Sequence, residues 1–398
     1  MTTQATHAGN DNGATAILYM ALELSWKLWK VMLWSGGRQR IVDIPARDVP
    51  ALLAAIARAK VDLARSTTTA RVVSCYEAGR DGFWLDRALR ENGVENLVVD
   101  SSAIEVSRRA KKAKSDRIDV GKLMALLRRH VAGEADVFRI VRVPSAAAED
   151  DRRSSRELER LKKELSQHLS RIRSLLALHG ISCERIKGRV FAKTVADLRD
   201  WKDRPLPDTI NAELGREAGR LALVEEQIKG LGDARRARLR AAQAARRGTV
   251  QSESEPRAVD AAAAVASDLT RLKALGPESS WVFAHEFFAW REFANGRQVG
   301  AAAGLCGTPF ASGASQREQG LDKSGNRRIR TMAVEIAWLW LRYQPDSALS
   351  QWYRARFASG GVRARKVGIV ALARKLMIAL WRFVTKGIVP EGAVLKAA

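Results

Sequence analysis

A chain of 398 residues is longer than a single core usually grows, so two or three domains and a sizeable buried interior are expected. Lys and Arg number 68 against 44 Asp and Glu, and the resulting +24 is spread along the whole chain, which makes a polyanion the expected partner. The longest apolar run near the end, from Met332 to Leu341, is short and carries Glu335, so it reads as a core helix and no membrane partner is expected.

Residues 1–15 are polar and small and lack a charged segment followed by an apolar stretch. They read as a disordered N-terminus rather than a secretory signal, in keeping with a cytoplasmic protein. From residue 16 the pattern alternates. Apolar runs at 16–24, 26–34 and 40–44 read as strands, the last two joined at Ser35-Gly36-Gly37, a hairpin signal. A helix at 49–60 leads to a strand at 71–76, a helix at 83–92, a strand at 96–99 and a helix at 116–129, giving the order β-β-β-α-β-α-β-α.

Residues 150–180 are highly charged, with Leu158, Leu161, Leu165, Leu169, Ile172 and Leu176 at helical spacing. After a break at 201–207 that contains two prolines, a second such segment at 214–244 carries Leu221, Val224, Ile228 and Leu231. The two form either an antiparallel coiled-coil arm or two ordinary bundle helices. Ser252-Glu253-Ser254-Glu255-Pro256 reads as a linker. Beyond it helices are expected at 268–275, 281–295, 327–343, 348–357 and 363–386, interrupted by an irregular stretch at 304–325. The domains expected are thus 16–149, 150–248 and 257–390, with a linker at 249–256.

The three cysteines, Cys75, Cys183 and Cys306, and the five histidines are scattered without metal-type spacing, so no zinc framework is read and a metal would be held by carboxylate oxygens. Glu23 lies inside the apolar strand Ala21-Leu22-Glu23-Leu24-Ser25, where a lone carboxylate is costly unless something binds it. Glu77 closes the strand Val72-Val73-Ser74-Cys75-Tyr76, and Asp116 and Asp119 are three apart on one helix face. Converging oxygen donors of this kind suit Mg²⁺. Each acid alone has an ordinary reading, as a solvated strand end or a helix N-terminal charge. The basic run Arg108-Arg109-Ala110-Lys111-Lys112-Ala113-Lys114 before the aspartates would hold phosphates beside a metal.

The later stretch is rich in Gly, Ser and Pro and contains Ser312-Gly313, where a phosphate can approach closely. It continues into Lys323-Ser324-Gly325-Asn326-Arg327-Arg328-Ile329-Arg330, a helix start with a basic first turn suited to clamping phosphate. Arg363, Arg365, Lys366, Arg374 and Lys375 give the last helix a basic run. Leu272-Lys273-Ala274-Leu275-Gly276-Pro277 reads as a helix cap or as the turn of a helix-hairpin-helix. Trp26, Trp29, Trp34, Trp338, Trp340, Trp352 and Trp381 are more readily core residues than base-stacking platforms.

Lys114-Ser115-Asp116-Arg117-Ile118-Asp119, Tyr76-Glu77-Ala78-Gly79, Gly304-Leu305, Ser312-Gly313, Arg317-Glu318-Gln319-Gly320 and Lys323-Ser324-Gly325-Asn326-Arg327 together resemble the DEDD insertion-sequence transposases, relatives of the Piv invertase described as bridge-RNA-guided recombinases. The resemblance covers residues 16–386. It implies a RuvC-like, RNase H-type mixed-sheet domain, a helical coiled-coil middle and a mostly helical C-terminal domain with a serine nucleophile. The family's acids fall on Glu23, Glu77, Asp116 and Asp119 as Mg²⁺ ligands, and its serine on Ser312, with Ser315 and Ser324 as neighbouring alternatives. Arg317, Lys323, Asn326, Arg327, Arg328, Arg330, Arg363, Arg365 and Lys366, with the run from Arg108 to Lys114, would contact nucleic acid. The implied partners are donor and target DNA, a structured guide RNA, and further copies of the chain in a tetramer. One departure stands out: the family's first acid is normally Asp, and Glu23 is one methylene longer. Two rival functions fit the same residues, a junction-resolving nuclease using metal-activated water and a catalytically degenerate nucleic-acid scaffold.

Overall fold

The computed structural model describes residues 16–62, 70–100, 116–134, 137–246, 260–312, 315–321 and 325–396, and for 116–118, 308–312 and 315–319 the backbone alone. The expected disordered N-terminus at 1–15, the basic residues Arg108, Arg109, Lys111, Lys112 and Lys114, the linker at 249–256, Lys323 and Ser324 lie outside the described residues. The chain divides into two compact units, Met1–Pro144 and Ser145–Ala398.

The first unit is built on β1 (Ile17–Glu23), β2 (Leu28–Ser35), β3 (Arg38–Pro45), β4 (Arg71–Glu77) and β5 (Val94–Val99), with α1 (Val49–Asp62), α2 (Trp84–Glu91) and α3 (Asp116–Val131). The element order is the one expected, and the sheet order is β3-β2-β1-β4-β5. β1, β2 and β3 pair antiparallel, and β4 then adds to β1, and β5 to β4, in parallel. The β2–β3 turn needs two consecutive residues with positive φ, which Gly36 at 53° and Gly37 at 84° supply.

Alternation within the strands sorts the side chains onto two cores. Leu18, Met20 and Leu22 pack with Leu52, Ile56, Leu85 and Leu89 under α1 and α2. Ala21, Val73 and Cys75 pack on the opposite face with Val120, Leu123, Met124 and Leu127 of α3. One polar chain crosses the first of these interfaces. Ser74 Oγ donates to Asn96 Oδ1 at 2.7 Å, Asn96 Nδ2 donates to Asp86 Oδ1 at 2.8 Å, and Arg90 Nε donates to Asp86 Oδ2 at 2.9 Å.

The second unit opens with α4 (Ala146–Asp151) and α5 (Arg153–Ala177), followed by α6 (Gly188–Thr194) and α7 (Asp208–Arg246). Ser145 caps α4 by accepting from Ala148 N at 3.1 Å. The second amphipathic segment is one unbroken helix of 39 residues that starts directly after Pro207. It runs antiparallel to α5, because Arg235 lies 3.4 Å from Ser155 at one end and Arg171 reaches Glu217 at 3.0 Å nearer the other. Ile172, Leu176, Leu214, Ala218 and Leu221 form the buried seam.

The helices that follow are α8 (Ala261–Thr270), α9 (Pro277–Phe283), α10 (Gly296–Ala302), α11 (Arg327–Tyr343), α12 (Ala348–Phe357) and α13 (Val362–Lys386). The last three match the expected spans. The helix expected at 268–275 instead begins at Ala261, because Asp260 accepts from Ala262 N and Ala263 N at 3.1 Å each and caps an alanine run. The one expected at 281–295 is cut short by a π-helical turn, Ala284–Phe288, and a new start at Asn295, which caps α10. The largest difference lies in the stretch read as irregular. It contains a hairpin, β6 (Gly307–Ser312) and β7 (Ser315–Leu321), with a register shift between Gly307 and Pro309 that accommodates a proline lacking the N–H a ladder needs. No helix among the described residues is long and apolar enough to cross a membrane.

Candidate active site

Leu22 and Tyr76 are the last register partners of the parallel pair β1–β4, so the next residues, Glu23 and Glu77, end adjacent strands side by side. By alternation both belong to the face covered by α3. The helix direction sets the start of α3 at the same end of the sheet. Leu123 O lies 3.8 Å from Cys75 Sγ, and Arg128 lies over Trp34, 3.7 Å from its ring centroid, at the end where Trp34 pairs with Tyr19. α3 therefore runs antiparallel to β1 and β4. Four helical residues and two strand residues each span about 6 Å, which sets Asp119 level with Glu77. The backbone of Asp116 stands one turn beyond, and its side chain is outside the described residues. Asp119 itself accepts from Lys122 Nζ at 3.1 Å. Burial pushes the Cys75 thiol up to about 12, and the Glu77 carboxylate adds to the shift.

Glu23 and Glu77 line one cavity of about 380 Å³, together with Ser25, Trp26, Arg80 and Asp81. Asp81, with a side chain only 7% exposed, pairs with Arg47 at 3.5 Å and Arg80 at 3.6 Å. Both guanidinium groups flank Trp26, at 4.5 and 5.1 Å from its ring centroid, while the indole remains 63% exposed. A donor set of hard carboxylate oxygens bordered by two guanidinium groups suits a divalent ion and the phosphate it would polarise. The Arg47–Trp26–Arg80 stack was not foreseen. Its only sequence signal is Arg80-Asp81-Gly82 directly after the Tyr76-Glu77-Ala78-Gly79 strand end.

In the second unit Ser312 and Ser315 are register partners at the tip of the β6–β7 hairpin. Their side chains, like that of Arg317, are outside the described residues. The root of the hairpin is held by two glycines. Gly304 has φ +66°, and a Cβ added at Gly325 would overlap the Gly304 backbone, at 2.5 Å from its Cα. Asn326 N donates to Ala302 O at 2.9 Å across the same junction. Asn326, expected to clamp phosphate, caps α11 by accepting from Arg328 N and Ile329 N at 3.0 and 3.3 Å. Arg330 Nη1 is buried beside Gly304. Arg327 is exposed, and Arg328 is exposed and paired with Glu159 at 2.5 Å.

Between the hairpin root and α13 lies a groove of about 1140 Å³, lined by Gly307, Leu321, Trp352, Arg363, Lys366 and Arg374. Arg365 is exposed on the same helix, and Lys375 Nζ stands 4.7 Å above the Trp352 ring. Of the other tryptophans, Trp29 and Trp340 are fully buried and Trp338 is 48% exposed.

Residues 266–352, which contain this hairpin, match the family described as Transposase IS116/IS110/IS902. A protein of Sinorhizobium fredii (strain NBRC 101917 / NGR234) named "Putative transposase y4rJ" is 40% identical over 384 residues, covering 95% of this chain and 94% of that protein. A second protein of the same strain, "Putative transposase y4qE", is 28% identical over 296 residues, covering 73% of this chain and 64% of its own length.

Proposed function

The chain belongs to the IS116/IS110/IS902 transposase family, enzymes that act on DNA, and from that premise we propose a covalent, metal-assisted strand exchange. The observation that carries the reading is the convergence of Glu23, Glu77 and the first turn of α3 at one end of a mixed sheet, as a RuvC-like, RNase H-type domain requires. On this reading residues 16–149 are that domain, 150–248 form a coiled-coil arm, and 257–390 carry the nucleophile.

Glu23, Glu77, Asp116 and Asp119 would hold Mg²⁺, which supplies charge neutralisation at the phosphate. Glu23 reaches one methylene further than an aspartate, and its place on the strand beside Glu77 leaves room for that reach within the cavity. Ser312 Oγ attacks the DNA phosphorus, the deoxyribose oxygen leaves and takes up a proton, and a serine–phosphate ester remains. Attack by a hydroxyl of a second DNA end reverses the step, so the ester conserves the bond energy and no nucleotide cofactor is consumed. Arg363, Arg365, Lys366, Arg327 and Arg328, with the run from Arg108 to Lys114, Arg317 and Lys323, hold the polynucleotide backbone. A structured guide RNA selects donor and target DNA, and a homo-oligomer, a tetramer in our proposal, brings acids and serine together.

Labelled DNA incubated with the protein in Mg²⁺ and run on a denaturing gel tests the proposal. Wild type should yield a protein-linked band that Ser312→Ala abolishes and Ser315→Ala retains. The reverse pattern moves the nucleophile across the hairpin to Ser315. Cleavage without any linked band replaces serine attack by metal-activated water.

A further inference from the structure

We propose that Asp151, Asp260 and His285 form a second metal site, distinct from the acid pocket of the first unit and suited to a transition dication of the zinc class. One donor atom from each lies within 4.8 Å of the others. The three come from the end of α4, the cap of α8 and the π-helical turn, all within the second unit.

The histidine is what distinguishes this cluster from an ordinary acidic patch. His285 is 1% exposed, and its Nδ1 lies 3.0 Å from Trp281 O. A carbonyl oxygen only accepts, so Nδ1 carries the proton and Nε2 keeps its lone pair. Nε2 is buried and no hydrogen bond reaches it. A buried acceptor of this kind is costly unless satisfied, and an imidazole whose other nitrogen donates to a backbone carbonyl is oriented as metal-binding histidines are. Donors at about 2.1 Å from one ion stand about 3.4 Å apart in a tetrahedron and about 4.2 Å apart when opposed. With donor atoms as far as 4.8 Å apart, the cluster is thus open by up to about 0.6 Å for opposed ligands and about 1.4 Å for tetrahedral ones. Asp151, about one-third exposed at the end of α4, can close that gap by side-chain rotation while Asp260 stays fixed as the cap of α8.

Arg238 is the resident cation. Its Nη2 donates to Asp151 Oδ1 at 2.8 Å and also bonds Asp260 Oδ2, to which its Nε donates at 2.9 Å. These bonds tie both carboxylates to one guanidinium beside His285. The guanidinium is 41% exposed and can swing outward as an ion enters. One imidazole and two carboxylates leave a fourth position for water and favour zinc-class ions over Mg²⁺. Residues 151, 260 and 285 lie too far apart in sequence to register as a motif, which is why scattered histidines argued against such a site.

Full-length protein, stripped with a chelator and returned to chelator-free buffer, is titrated with Co²⁺ followed by visible absorption, and then with Zn²⁺ in competition. With Mg²⁺ in excess to occupy the acid pocket of the first unit, wild type should bind one equivalent displaced by Zn²⁺. His285→Gln and Asp151→Asn should each weaken binding at least about tenfold, and Glu77→Gln should leave it unchanged. Circular dichroism checks each fold, and if His285→Gln does not fold, Asp151→Asn on its exposed helix end decides alone. Absence of a stoichiometric equivalent in wild type, unaltered binding in the folded variants, or loss of it in Glu77→Gln overturns the site.

Discussion

Gly304 and Gly325 touch backbone to backbone at the root of the hairpin that carries Ser312 and Ser315, and neither has space for a Cβ. Gly304 also sits at φ +66°, where any L side chain is strained. Gly325→Ala should therefore destabilise the second unit by about 1–3 kcal/mol through overpacking, and Gly304→Ala by at least as much. Urea unfolding read by tryptophan emission measures both; midpoints matching wild type would mean that the junction relaxes freely.

At the acid pocket, Glu77→Gln and Asp119→Asn keep shape and remove charge. Each should fold normally, retain DNA binding within about twofold, and lose DNA breakage by at least about a hundredfold, more than loss of a supporting residue costs. Electrophoretic cleavage assays across a Mg²⁺ series provide the reading. Undiminished breakage in both variants would take the metal away from this sheet end.

The succession of strands and helices along the first unit and the positions of α11, α12 and α13 were legible from apolar periodicity, whereas the order of the strands within the sheet was not. Glu23 stood out because a carboxylate interrupts an apolar strand. What stayed hidden depends on long-range contact. The hairpin was masked by its Gly, Ser and Pro content, since cross-strand pairing rather than propensity makes β6 and β7. Asn326 and Arg330 read as phosphate ligands because a basic helix start looks the same whether its polar groups face solvent or turn inward to cap α11 and pack on Gly304. The Arg47–Trp26–Arg80 stack joins residues up to 54 positions apart and leaves no local pattern.

Glu217 is a buried hub, accepting from Arg171 at 3.0 Å and Arg220 at 2.6 Å and contacting His168 Nδ1 at 2.7 Å. Burial pushes its carboxyl up, and the hydrogen bonds from His168, Arg171 and Arg220 more than offset this, so the net shift is downward. A depressed folded value contributes stability above the ordinary carboxylate range and loses it as pH falls through that value. Glu217→Gln should be less stable than wild type near neutrality, by about 1–3 kcal/mol for lost hydrogen bonds to charged groups whose arginines stay half exposed. The gap should narrow on acidification from about pH 7 to pH 3, as denaturant midpoints across that range would record. A gap independent of pH would assign the loss to packing.

Asp86→Ala removes the acceptor shared by Asn96 and Arg90 and leaves a buried amide unsatisfied. A loss of about 1–3 kcal/mol is expected in the first unit, with Asn96→Ala in the same background costing little more, because the two act as one network. Additive losses in that double-mutant cycle would break the network into independent bonds.

Binding to duplex DNA should weaken by about tenfold or more between roughly 50 and 200 mM salt. Arg363→Gln with Lys366→Gln should flatten that dependence. A slope unchanged in the double variant moves the contact away from the α13 groove.

Glu23 and Glu77 share an end of the sheet only because β1 and β4 run parallel in one register. Insertion or deletion of a single residue within β1 would leave every acid in the sequence, yet turn Glu23 to the opposite face, under α1 and α2. On the proposed mechanism, a copy of this gene damaged in that way would keep its full set of motifs and still be inert. Among diverged copies, the length of the segment from Ile17 to Glu23 is therefore a sharper sign of a working enzyme than the presence of the acids themselves.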